Sequence, residues 1–394
     1  MNQFTFYANR PTENYHKIDF WLLASVLLLW GLGMFSVFIC SQNFGERVFN
    51  DSLYFVKRHL ITSGFGFVMF VMFLFTDIKY IKKFLSVFVL FSIVLCLLTF
   101  IKPFGIERNG ASRWLRMPGN FTFQPSELVK FALVLFLANY FEKQEELSDE
   151  EKNVFPCVLG FVVIIGIVFA QKDFSSGVFI SLIGILLFFV SGSKLKWLIP
   201  FLVVAIPAVV LMVSLEPYRL SRVIGWVRPD EFGSTVNYQS IAAKRAISAG
   251  GIWGNGIGMG LVKINSIPEV QADYIFAGWT EAMGYLGVIF YFALICFFAF
   301  RGYRTALQCK SRFSAYSVFG CVSIIFVQSI VNTMVVCGML PATGIPLPFF
   351  SLGGSSIIIT LAMCGFVLNA SRCEEIDEKS MESDEINIET LSYL

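Results

Sequence analysis

Ten apolar runs dominate this chain of 394 residues and leave few architectures open to it. They fall near residues 19–40, 60–77, 84–101, 126–141, 155–171, 176–192, 197–215, 274–300, 313–338 and 353–370. One bilayer crossing needs about 20 apolar residues. Hydrophobic residues make up 56% of the chain and charged ones only 15%, against roughly 25% charged in a soluble domain. The pattern predicts an all-α polytopic membrane protein of about ten transmembrane helices. It excludes a soluble enzyme, a fibrous protein and a secreted disulfide scaffold.

The nine cysteines are scattered singly, with no C-x-x-C pair, which argues against a zinc site or a disulfide framework. The two histidines, His16 and His59, give a Ser–His–Asp hydrolase almost nothing to work with. A net charge of +2 gives no reason to expect nucleic acid as a partner. The first apolar run follows a polar segment, so no cleavable signal peptide is expected.

Ten crossings put both termini on one side. The short linkers on that side carry Lys79, Lys82 and Lys83, then Lys194 and Lys196, then Arg301, Arg304, Lys310 and Arg312. Positive short loops mark the cytoplasmic face. Over the whole chain, however, Lys and Arg divide evenly, because the outer cations crowd into residues 102–130 and 217–263. Cations placed against the usual bias point to an anionic ligand.

The expected organisation is a cytoplasmic N-terminal segment (1–18), a membrane domain (19–372) and an acidic tail (373–394). A large outer loop, 216–272, lies between the seventh and eighth spans. Its middle predicts a short amphipathic helix with a stripe of Ala242, Ala243, Ala246 and Ile247, stopped by Gly250-Gly251. Residues 142–152 form a solvated charge run. From Glu374 onward the tail carries eight acids against one lysine, a composition expected to be disordered.

Ionisable groups in or beside a span are functional candidates because burying them is expensive. Glu127, Asp173, Glu269, Asp273 and Glu281 qualify on the outer half. Lys130 follows Glu127 by three residues on one helix face, either as a structural ion pair or as the charged wall of a polar cavity. Asp173 is a turn acid, a helix cap or a cavity residue. Asp273 opens the eighth span, where a helix N-terminus favours its ionised form; an ordinary capping role fits that position too. Glu281 lies two turns deeper.

The glycines of 250–260 do not match a nucleotide loop: the spacing is G-x-G-x-G, without a preceding strand or a G-K-[ST]. A hinge or close backbone packing is expected instead. Pro341, Pro346 and Pro348 with Gly344 break any helix between two spans and predict a rigid re-entrant loop.

Four segments, in order, resemble one family. Asn109-Gly110-Ala111-Ser112-Arg113-Trp114 and Phe123-Gln124-Pro125-Ser126-Glu127 with Lys130 resemble its N-G-A-x-R-W and F-Q-P-S-E-x-x-K block. Gln171-Lys172-Asp173 resembles Q-P-D, and Pro268 to Ala277 resembles P-E-x-H-T-D-F-I-F-A. Pro341 to Ser356 resembles P-x-T-G-x-P-L-P-F-x-S-Y-G-G-S-S. The chain is thereby similar to the SEDS family (shape, elongation, division and sporulation), over roughly residues 15–372. The spacing from Gly254 through Lys263 to Glu269 is closer to the division-type FtsW pattern than to RodA.

The resemblance implies a peptidoglycan glycosyltransferase that polymerises lipid II on the outer face of the bacterial cytoplasmic membrane, at the division septum. It would work with a class B penicillin-binding protein and other divisome membrane proteins. Asp273 matches the family's essential loop aspartate and would be the general base. Arg113, Lys130 and Lys263 would contact diphosphate or sugar, Glu127 would orient Lys130 or help bind a cation, and Asp173 and Glu269 would line the cavity. Gln124, Ser126, Gln271, Glu281, Pro346 and Pro348 would support the site. A divalent cation, Mg or Mn, is compatible with the resemblance, but no ligand set is assigned.

Four positions depart from the family pattern: Gln271 for His, Ala282 for the second acid after Glu281, Lys172 for Pro, and Leu352 for Tyr. Gln271 can hydrogen-bond but cannot titrate near neutral pH. Two other functions stay open on sequence: a lipid II flippase, and a non-catalytic scaffold that activates a penicillin-binding protein.

Overall fold

The computed structural model describes residues 18–108, 111–118, 121–145, 147, 153–193, 203, 207, 212–214, 216–228, 238–256 and 270–372. Twelve helices and three short strands are present among them. They are α1 (Phe20–Phe49), α2 (Tyr54–Phe75), α3 (Ile78–Lys83), α4 (Leu85–Leu98), β1 (Gly105–Arg108), β2 (Ala111–Met117) and β3 (Phe121–Phe123). There follow α5 (Pro125–Glu145), α6 (Phe155–Ala170), α7 (Phe174–Val190), α8 (Pro217–Val227) and α9 (Tyr238–Gly250). The last three are α10 (Ile275–Gln308), α11 (Arg312–Val336) and α12 (Gly354–Ala370).

Nine of the expected apolar runs coincide with helices; most of the seventh, 197–215, lies outside the described residues, as do the N-terminal segment and the acidic tail. By length and composition α1, α2, α10 and α11 can each cross a membrane. The apolar helices α4, α6, α7 and α12 are shorter. Asp19 caps the first span, Oδ1 accepting from Trp21 N–H at 3.0 Å and Leu22 N–H at 3.1 Å, and the helix continues past its apolar run to Phe49. The same carboxylate receives Arg301 at 2.6 Å, which ties α1 to the far end of α10.

Three short strands stand beside the expected helices. β1, β2 and β3 form an antiparallel sheet in that order, pairing Arg108 with Ala111 and Leu115 with Phe123. Ala111 and Leu115 turn inward and are buried. The signal was legible in Asn109-Gly110, a dipeptide that favours a two-residue hairpin.

Helices α5, α11 and α12 form the centre, with most of their residues buried on all sides. Helix α12 packs closely on α2, where Gly66 faces Leu361 and Ile358, and Gly365 faces the backbone of Phe70. Small residues allow such approach where lipid gives no hydrophobic drive between helices.

Helix α10 is broken at Gly284 (φ 64°, ψ −164°). A break inside a membrane helix frees backbone groups that lipid cannot satisfy. The glycine-rich segment after α9 satisfies them. Asn255 N–H donates to Glu281 C=O at 2.9 Å and Gly256 N–H to Ala282 C=O at 3.1 Å. In return Tyr285 N–H donates to Gly251 C=O at 2.9 Å and Leu286 N–H to Ile252 C=O at 3.3 Å. The approach needs Gly254 at φ 81°, with the backbone of Ala282 and Gly284 against its Cα. Close backbone packing is therefore what these glycines do over 250–256. The expected helix also forms, with Ala242, Ala243 and Ala246 buried against α10.

Candidate active site

Asp173 is the hub of the first cluster. It ends the α6–α7 turn, and its carboxylate, 1% exposed, makes no capping bond to α7. Instead Oδ2 accepts from Gln124 Nε2 at 2.7 Å and Ser126 Oγ at 2.8 Å, and Oδ1 faces Arg113 Nη1 at 3.5 Å. The capping alternative is thus excluded, and Asp173 is enclosed rather than open to a cavity. Its charge is met by two neutral donors and one cation, which is what keeps a buried carboxylate affordable. The Arg113 side chain stays 32% exposed, and its buried Nε has no partner among the described residues. Part of that guanidinium is available to an anion.

The second cluster lies on α5 and α11. Lys130 Nζ donates to Glu127 Oε1 at 2.7 Å and to Gln328 Oε1 at 2.9 Å, and sits 5.4 Å from the centre of the Phe179 ring. Both charged side chains are about 5% exposed or less. Pairing and hydrogen bonding are the conditions under which an ion pair survives burial. In this arrangement the Lys130 ammonium is engaged by both Glu127 and Gln328.

The third cluster surrounds Asp273, half-buried just before α10, whose N-cap is Tyr274. The carboxylate lies against Gly344 of the re-entrant loop; a Cβ there would stand 3.2 Å from Oδ2. Gly344 has φ 74°, so glycine suits the backbone as well as the space. Asn332 Nδ2 donates both to Asp273 C=O at 3.0 Å and to Ile345 C=O at 2.8 Å. One turn earlier on α11, Gln328 Nε2 donates to Pro346 C=O at 2.8 Å.

The re-entrant loop joins all three clusters. Ser175 Oγ, two residues past Asp173, donates to Thr343 C=O at 2.7 Å. Gln328 carries the loop to Lys130, and Asn332 carries it to Asp273. The loop closes with Phe349 at φ 66°, buried against the backbone of α1 at Gly33. Non-glycine residues hold such angles at a cost of about 1–3 kcal/mol, and persist where packing over-determines them.

Of the residues singled out from sequence, Arg113, Gln124, Ser126 and Asp173 meet directly, as do Glu127 and Lys130. Pro346 meets the second group through its carbonyl. Pro348 lies in the same loop, and Glu281 is buried above the Gly284 break. Lys263 and Glu269 lie outside the described residues. Gln271 is buried, and its C=O accepts from Leu352 N–H at 2.9 Å, so two departures from the family pattern adjoin each other. Sequence reading missed Gln328 and Asn332. Their signal was two amides four residues apart inside an apolar span, where polar side chains seek partners on other helices. Among the described residues no group of three or more His, Cys, Asp or Glu is placed to hold a metal ion.

The family model described as cell cycle protein, FtsW/RodA/SpoVE, matches residues 20–376. The probable peptidoglycan glycosyltransferase FtsW of Geobacter sp. (strain M18) is 32% identical over 363 residues, covering 92% of this chain and 98% of that protein. Stage V sporulation protein E of Bacillus subtilis (strain 168) is 33% identical over 366 residues, covering 90% and 97% respectively. A chain of a solved structure concerned with polymerization and crosslinking by a peptidoglycan synthase complex superposes with TM-score 0.72 at 26% identity, covering 91% of this chain and 99% of that one.

Proposed function

This chain belongs to the FtsW/RodA/SpoVE family of integral membrane proteins, and from that membership we propose that it is a peptidoglycan glycosyltransferase polymerising lipid II with Asp273 as general base. The observation that carries the reading is the seat of Asp273. Its backbone is clamped by Asn332, its carboxylate lies against a glycine of a rigid loop, and that loop also touches the Asp173–Arg113 cluster.

In the proposed step Asp273 takes the proton of an acceptor sugar hydroxyl. The hydroxyl oxygen bonds to the donor's anomeric carbon as the bond from that carbon to the diphosphate breaks. Undecaprenyl diphosphate leaves with the electron pair, and in-line attack inverts the centre. A base of this kind contributes roughly 100- to 10,000-fold. Cations stabilise the charge that develops on the leaving group. Arg113 has guanidinium to spare for this, and Lys263 is the second candidate. Glu127 and Lys130 hold the wall behind the loop, and Glu269 precedes the base in sequence. A divalent cation, Mg or Mn, would find no cluster of three or more His, Cys, Asp or Glu among the described residues and would have to rely chiefly on substrate phosphates, as Mg2+ commonly does with only one or two carboxylates. It would screen the diphosphate charge.

Likeness to a chain of a peptidoglycan synthase complex that couples polymerization to crosslinking supports a crosslinking partner, for which we propose a class B penicillin-binding protein. We place the protein in the bacterial cytoplasmic membrane with both termini cytoplasmic, acting at the septum with other divisome proteins. The test is reconstituted polymerisation of purified lipid II by wild type and Asp273→Asn, each with the cognate class B penicillin-binding protein. Glycan strands from wild type alone are expected. Strands from the mutant would remove Asp273 as base. Silence from folded, partner-bound wild type, with lipid II crossing vesicle membranes, would favour a flippase; silence in both assays would favour a scaffold.

A further inference from the structure

On the face opposite Asp273, five helix ends surround a cavity of about 440 Å³. Its cationic wall is Lys79, Lys310 and Arg372; its apolar wall includes Phe75 and Ile78. The acid in the lining, Asp77, is engaged as the N-cap of α3, where Oδ1 accepts from Lys79 N–H at 2.8 Å.

The ordinary reason for cations here would be to satisfy helix-end carbonyls. At α2 that need is met by Asn369 and by Arg372 itself, not by the two lysines. Asn369 Nδ2 donates to Phe73 C=O at 2.8 Å and Thr76 C=O at 2.5 Å, and Arg372 Nη1 reaches Leu74 C=O at 3.4 Å. The Lys79 ammonium makes no ion pair among the described residues, and Lys79 and Lys310 are both exposed. The described lining thus carries three cations and one acid, the acid committed to its cap.

The two walls together select an amphiphile. Phe75 is 65% exposed and continues the lipid-facing side of α2 into the cavity mouth. A cavity at the level where the helices end, basic on one wall and apolar on the other, matches the headgroup region of a bilayer. We propose that it binds the phosphate of an anionic glycerophospholipid, with the acyl region running along Phe75 and Ile78. This site lies away from the proposed reaction and does not depend on it. A second occupant of fitting charge exists within the chain: the acidic segment Glu374–Leu394 begins two residues after Arg372.

The experiment is native mass spectrometry of the purified full chain in detergent with phosphatidylglycerol or phosphatidylcholine, for wild type and the Lys79→Gln/Lys310→Gln double variant. Each cation at a membrane surface contributes about 5-fold to anionic lipid binding, so the double variant is expected to retain phosphatidylglycerol on the order of 30-fold more weakly. Wild type is expected to keep one phosphatidylglycerol in preference to phosphatidylcholine. Unchanged thermal unfolding and lipid II polymerisation verify the variant's fold, since neither lysine is in the proposed active site. Equal retention by the variant would overturn the site. Displacement by millimolar inorganic phosphate would assign it to free anions instead. Binding of phosphatidylglycerol only after deletion of Glu374–Leu394 would make the tail the resident ligand and overturn the lipid assignment.

Discussion

Asn332 holds Asp273 by the backbone and not by the carboxylate: its Nδ2 lies 3.0 Å from the Asp273 carbonyl oxygen and 2.8 Å from that of Ile345. One amide thereby fixes the start of α10 against the re-entrant loop while leaving the chemistry of the acid alone. A residue placed this way sets position, and misplacement by 1 Å can cost about 100-fold in rate. Asn332→Ala is expected to lower the polymerisation rate by roughly 10- to 100-fold with lipid II affinity little changed. A raised KM at normal kcat would show that Asn332 acts on binding instead.

The Glu127–Lys130 pair is buried and complete. Removing one partner strands the other charge, at about 3–5 kcal/mol. Lys130→Met and Glu127→Gln should each lower the unfolding temperature and impair activity. The double variant should regain much of the stability. Activity that returns together with stability would mark the pair as structural; activity that stays low would assign it a part in the reaction.

Arg113 and Asp173 separate fold from binding. Asp173→Ala leaves Gln124 and Ser126 buried without their acceptor, and each such group costs about 1–3 kcal/mol, so a clear loss of stability is expected. Arg113→Gln touches a side chain one third exposed and is expected to weaken lipid II use with a smaller stability loss. The reverse order in thermal unfolding and KM would contradict this division of roles.

Gly254→Ala is expected to destabilise the α10 break. A φ of 81° alone costs an alanine about 1–2 kcal/mol, and its Cβ would also meet the backbone of Ala282 and Gly284. Gly251→Ala, with positive φ but open space around it, should cost less. Thermal unfolding of both variants checks the order.

Lys172, which stands where the family has proline, pairs with Glu216 at 2.9 Å. The hydrogen bond and charge of Lys172 hold the Glu216 carboxyl below its ordinary value. A carboxyl depressed in the fold contributes stability above its unfolded pKa, about 4.3, and loses it as pH falls through the lower folded value. Lys172→Ala should therefore reduce the stability difference between pH 6 and pH 3. Both groups are largely exposed, so the change is expected to be small and to fade in high salt.

The helices were written in the apolar runs, because in lipid a backbone must satisfy its own hydrogen bonds and a long apolar run has few other ways to do so. The re-entrant loop was legible in its prolines, the α9 stripe in its alanines, and the candidate base in the family resemblance of its segment. The three-stranded sheet could be anticipated only from Asn109-Gly110. What the tertiary structure decided was partnership. Asp173 could equally have capped a helix or faced solvent, until packing brought Gln124 and Ser126 to it from almost 50 residues away in the chain. Gln328 and Asn332 looked like isolated polar residues in an apolar span, and the loop gave each a carbonyl to bind. The glycines after α9 suggested a hinge or close backbone packing, and only the break at Gly284 showed which backbone groups they satisfy. Local pattern determines which elements form. A buried polar group's partner depends on which distant surface arrives to enclose it, and that is settled only when the whole chain packs.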